Sequence, residues 1–148
     1  MLKCQKEIAK RAKYYLYNYK EIKEKIETAK EDMIMSRKTY FSTLTNQGYY
    51  SNPVENAILK FDKKYGEDEK WLKVIDDAYD IVRIENHLKY QFMLKRFYQK
   101  EPWWKIMKEL HIEKSTFYTW EKEIVSLVIM LAIQHKLVKI DLIQPKIT

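Results

Sequence analysis

The sequence predicts an all-α protein, with a long N-terminal helical arm followed by a C-terminal domain of shorter helices. Three observations carry that prediction. The 148 residues include only two glycines and three prolines, so little interrupts helices or builds tight turns. Apolar residues recur at alternating steps of four and three over residues 3–38. Beyond residue 52, apolar stripes at helical spacing are divided by "SNPVE", Gly66 and "EPWW", the punctuation expected between helices. With 46% apolar and 33% charged residues, most of the chain should fold rather than stay disordered.

In the arm, Ile8, Tyr15, Ile22 and Ala29 fill one position of a heptad, and Ala12, Tyr19, Ile26 and Met33 fill the other. So narrow a seam suits a single partner helix. Pairing between subunits through Ile8, Tyr15, Tyr19, Ile22 and Ile26, as a homodimer or small oligomer, is therefore expected. An amphipathic helix packed within its own chain would show the same spacing. Residues 1–40 hold 11 basic against 6 acidic side chains, so the exposed face is basic.

Residues 41–52, "FSTLTNQGYYSN", read as a loop. Asn52 then stands as an N-cap, with Pro53 at the first helical position and Glu55 at the third. The helix it starts carries Val54, Ala57, Ile58, Phe61 and Tyr65 and should stop at Gly66, a natural left-handed C-cap. That divides the chain into an arm, 1–66, and a C-terminal domain, 67–148.

Asp68 can cap the next helix, which buries Trp71, Val74, Ile75, Ala78, Ile81 and Val82. Its polar face is acidic, with Glu67, Asp68, Glu69, Asp76, Asp77, Asp80 and Glu85, and reads as a solvated surface turned away from nucleic acid. From residue 87 to 100 the sign reverses. "HLKYQFMLKRFYQK" holds Lys89, Lys95, Arg96 and Lys100 with no acid, and Leu88, Phe92 and Phe97 can pack inward.

"EPWWKIMKELHIEKSTFYTW" contains two short helices around a tight turn. Pro102 starts the first, and Trp103, Ile106, Met107 and Leu110 form its core stripe. Ile112 plugs the turn, and Phe117, Trp120, Ile124 and Leu127 continue the buried side of the second helix. Lys114, Ser115, Tyr118, Thr119 and Lys122 are left outward near its start, where a helix-turn-helix reaches base edges in the major groove. "IVSLVIMLAI" is apolar on all sides, so either the folded-back arm or a second subunit should cover it.

The pattern "WWKIMKELHIEKSTFYTW" resembles the helix-turn-helix of sigma-70 region 4, in the form found in phage late-gene transcriptional regulators of the RinA/ArpU type. The layout of "GYYSNPVENAILK" followed by "WLKVIDDAYDIV" is similar too. The likeness is specific over residues 68–128 and architectural before them. It implies a four-helix C-terminal domain, binding to promoter-type double-stranded DNA and recruitment of host RNA polymerase. Two positions depart from the pattern. His111 stands at the turn position often held by glycine, and Glu113 and Glu121 bracket the second helix where basic residues and Ser are common. With this resemblance, Lys114, Ser115, Tyr118, Thr119 and Lys122 are expected to read bases. Lys89, Lys95, Arg96, Lys100 and Lys105 are expected to hold the phosphate backbone.

The net charge of +7 and pI near 9.2 fit an anionic partner. Enzyme chemistry finds no inventory. His87, His111 and His135 lie in different segments, no glycine-rich phosphate loop exists, and Cys4, the only cysteine, has no nearby His. No cofactor or metal is expected. A single cysteine, no export-type N-terminus and a longest apolar run half the length of a membrane span point to the cytoplasm. Two other functions suit the same features: a phage small terminase subunit recognising packaging DNA, and a helix-turn-helix module that binds protein.

Overall fold

The computed structural model describes residues 3–43 and 53–138. Among the described residues five α-helices follow one another: α1 (Lys3–Thr43), α2 (Pro53–Glu85), α3 (His87–Met93), α4 (Trp103–Leu110) and α5 (Lys114–Gln134). A π-helical turn, Leu94–Tyr98, continues α3. No strand occurs among the described residues, so the chain is all-α. None of the helices is long and apolar enough to cross a membrane.

The apolar seam of α1 is covered inside the chain. Ile8, Ala12, Tyr15, Tyr19, Ile22 and Ile26 are buried and belong to one hydrophobic cluster with residues of α2, α3 and α5. Tyr15 stacks on Trp71, ring centroids 4.9 Å apart, and its hydroxyl donates to Asp68 at 2.5 Å. Tyr19 donates to Asp76. The residues expected to pair two subunits are thus already occupied, because α2 presents both an apolar stripe and hydrogen-bond acceptors at their hydroxyls. The helix also continues to Thr43, through the first residues of the expected loop; the rest of that loop and Asn52 fall outside the described residues.

Gly66 does not end a helix. α2 runs unbroken from Pro53 to Glu85, and Gly66 has no positive φ. A mid-helix glycine costs ~1 kcal/mol relative to alanine. Residues just beyond it recover more than that. Trp71 is wholly buried, and burial of one large apolar side chain contributes roughly 1.5–3 kcal/mol. Arg11 pairs with Glu67, and Asp68 receives the Tyr15 hydroxyl instead of capping a new helix.

The acidic face of α2 is partly paired within the chain, while Glu67, Asp76, Asp80 and Glu85 stay exposed as a solvated face would be. Glu67 and Glu69 pair with Arg11 and Lys30 of the basic α1, and Asp77 lies 3.2 Å from His135 at the end of α5. Part of the charge opposition between arm and second helix is thus met by exposed ion pairs within the chain. The apolar α5 is covered by the chain itself: Ile124, Val125, Val128, Leu131 and Ala132 are buried in the common cluster, and Tyr17 of α1 donates to Glu121 at 3.0 Å. Of the two coverings expected, the folded-back arm is the one observed.

Candidate nucleic-acid interface

The two-helix unit of α4 and α5 is fixed by its turn. α4 ends at His111, which takes φ 54° and ψ 46°, the left-handed conformation that glycine usually supplies. The Ile112 N–H bonds back to Met107 O at 3.2 Å, closing the helix end. Ile112 is half-buried against the core, and Glu113 in extended conformation starts α5, with its carbonyl accepting from Phe117 N at 3.0 Å. Behind the turn, Phe92 meets Phe117 and Trp120 edge-on, with centroids 5.0 and 5.7 Å away. Ile106, Leu110, Phe117 and Ile124 are buried, so both helices are anchored on the common core behind the turn.

On α5 the outward face is free. Lys114, Ser115, Tyr118, Thr119 and Lys122 are all exposed, and none makes an ion pair or side-chain hydrogen bond with a described residue. Tyr118 rests edge-on against Phe117 at 5.4 Å, which limits its ring to one side of the helix. The five residues expected to face a groove are therefore together on one accessible surface.

The five cations expected to grip phosphates are placed differently. Lys89 pairs with Glu123 of α5, and Arg96 lies 3.3 Å from Glu121. Lys95 sits 2.5 Å from Glu109 and 3.5 Å from Glu101; Lys105 reaches Glu101 at 3.5 Å and Glu109 at 3.8 Å. Lys100 pairs with Glu21 of α1 at 2.7 Å, from a left-handed backbone with φ 56°. The hydrogen bond to Glu109 raises the pKa of Lys95, and the same bond lowers that of Glu109. The basic stretch of residues 87–100 is thus a set of clamps onto α1, α4 and α5. Glu101, Glu109, Glu121 and Glu123, in or beside the two-helix unit, are their partners, with Glu21 of α1.

No family model, curated protein or solved structure matches the chain.

Sequence spacing also misplaced one large aromatic, Trp103. Trp103 and Trp104 are 54% and 58% exposed at the start of α4, whereas Trp71 is fully buried. Adjacent helical residues point about 100° apart, so both indoles could not have served one core stripe. Trp103 was expected inside, but it lies exposed one turn before the buried Ile106. Leu88, also expected inside, is 40% exposed. Lys108, exposed on α4 and without an ion pair to a described residue, joins Lys114 and Lys122 as an available cation near the turn.

Proposed function

We propose that the chain is a sequence-specific double-stranded-DNA-binding protein of the transcription-regulator kind, reading the major groove with the start of α5. One observation carries the reading. Lys114, Ser115, Tyr118, Thr119 and Lys122 form an exposed face, unpaired among the described residues, on a helix that follows a left-handed turn and is anchored on the core by Phe117 and Ile124. That combination is what helix-turn-helix recognition requires. Ser and Thr hydroxyls can donate to or accept from base edges, and the Tyr118 ring offers an apolar surface to a thymine methyl. Lys108, Lys114 and Lys122 supply the phosphate contacts, since Lys89, Lys95, Arg96, Lys100 and Lys105 are held by carboxylates. The resemblance to RinA/ArpU-type late-gene regulators supports the regulatory role.

The test is in vitro selection of bound duplexes, followed by fluorescence anisotropy across a salt series. Tyr118→Ala with Thr119→Ala should abolish preference among sites while salt-dependent binding persists. Lys114→Gln and Lys122→Gln should each weaken all sequences alike and lower the salt slope by about 1. Absence of duplex binding at low salt overturns the proposal. A second reading, a module that docks protein, is favoured by exposed Trp103 and Trp104, because tryptophan is enriched among residues that dominate protein interfaces. It predicts partner binding that survives Lys114→Gln and Lys122→Gln but is lost in Trp104→Ala.

A further inference from the structure

Four tyrosines converge where α1, α2, α3 and the π turn meet. Tyr19, Tyr79, Tyr90 and Tyr98 line a cleft of about 450 Å³ together with Asp76 and Asp80. Tyr19 lies 5.9 Å from Tyr79 and 6.3 Å from Tyr98, and Tyr79 lies 6.3 Å from Tyr90, measured between ring centroids. Tyr90, Leu94 and Tyr98 stand four apart on one stripe, distinct from the stripe whose Lys89, Phe92 and Arg96 meet α5. The wider π turn helps to set Tyr98 at the wall, and such turns are frequent at functional sites.

The chemistry of this cleft favours a cation. Aromatic faces carry negative quadrupole potential, and two carboxylates add to it. The chain's own ammonium groups already sit over the rings: Lys23 Nζ is 5.6 Å from the Tyr19 centroid, and Lys20 Nζ is 5.6 Å from that of Tyr98. The Tyr79 ring lines the cleft, and its hydroxyl, shielded from solvent, has no hydrogen-bond partner among the described residues. Asp76 is oriented by the Tyr19 hydroxyl, whereas Asp80, at 3.5 Å from Arg83, stands on the open rim with exposed Lys23 and Tyr98. An open rim admits a side chain carried on another polypeptide without any closure of the fold.

We propose that this cleft binds the guanidinium or ammonium side chain of a partner protein, with the tyrosine rings as walls and Asp76 and Asp80 as counter-charges. Lys23 is the resident cation that such a side chain displaces. The site is independent of the DNA-binding reading, since its carboxylates repel phosphate.

N-acetylarginine amide titrated into the intact protein, followed by two-dimensional proton NMR, tests this directly. It should shift the ring resonances of the cleft tyrosines, whereas N-acetylcitrulline amide, its neutral isostere, should not. Lys23→Gln should tighten binding and Asp80→Asn weaken it, each by about threefold, the size of one exposed cation contact. Asp80 is exposed, so that variant is read on a folded protein. Equal responses to the two amides, no response to either, or no effect of either substitution overturns the proposal. Stronger occupancy by a dinucleotide or by free spermidine also overturns it, by assigning the cleft to nucleic acid or to a free polyamine.

Discussion

The Arg96 guanidinium lies 3.3 Å from Glu121 Oε1 and between two rings, 5.4 Å from the centroid of Tyr17 and 5.3 Å from that of Phe117. Tyr17 donates to the same carboxylate oxygen. One residue of the π turn therefore ties α1 to α5, and a side chain expected to touch DNA is part of the frame behind α5.

Loss of either partner should destabilise the fold by about 2 kcal/mol, below the 3–5 kcal/mol of a fully buried pair because both groups keep some solvent. Arg96→Lys should recover only part of this, since an ammonium cannot stack as a planar guanidinium does between two rings. Urea denaturation of Arg96→Ala, Arg96→Lys and Glu121→Ala measures it. An unchanged midpoint for Arg96→Ala would return Arg96 to the pool of free cations.

The tryptophans divide sharply. Trp71→Ala should cost about 3–5 kcal/mol, as a large buried side chain. Trp103→Ala and Trp104→Ala should stay within about 0.5 kcal/mol, as surface substitutions. Iodide quenching of single-tryptophan variants checks the exposure, and thermal melts check the energies. If the exposed pair adjoins the bound duplex, addition of DNA should protect one or both from iodide.

These aromatics also show what could be read from the sequence. Helices, the buried stripe of α2 and the left-handed turn at His111 follow from local spacing and local sterics, and the outward face of α5 follows from the same period. What local pattern could not supply was the partner of each face. The heptad seam of α1 is equally good for a second subunit or for α2, and only the tertiary positions of Asp68, Trp71 and Asp76 decide. The cations of residues 87–100 look free because that stretch holds no acid, and their carboxylates lie elsewhere in the chain, up to 79 residues away. The tyrosine cleft gathers residues from four elements and has no linear signature.

Alkaline pH should unfold the protein through its tyrosines. Burial, with the hydrogen bonds to Asp68 and Asp76 next, raises the Tyr15 and Tyr19 phenols well above their usual value. Burial pushes Tyr17 up to about 12 against an ordinary 10.0, and burial also raises Tyr79. Each phenol holds its proton more tightly in the folded state, so its stabilising contribution is complete below pH 10 and is lost as pH rises from there through the folded value. Absorbance at 295 nm should show the exposed tyrosines ionising first. The buried ones should follow in a cooperative step that coincides with loss of helical circular dichroism. Smooth ionisation of all twelve tyrosines near pH 10, with helicity retained, would contradict the buried hydroxyl network.

Gly66 discriminates between a continuous α2 and a helix that ends there. In the continuous helix a Cβ at this position meets nothing within 4 Å and the backbone has no positive φ. Gly66→Ala should then stabilise the protein by roughly 0.5–1 kcal/mol, by removing unfolded-state entropy and raising helix propensity. In a left-handed C-cap the same substitution would strain the backbone and destabilise by a similar amount. The sign of the shift in a urea midpoint is therefore a direct measurement of whether α1 docks on one long helix. A gain in stability should disappear if Tyr15→Phe and Trp71→Ala first remove the contacts that draw the helix past Gly66, because the glycine could then return to a capping conformation.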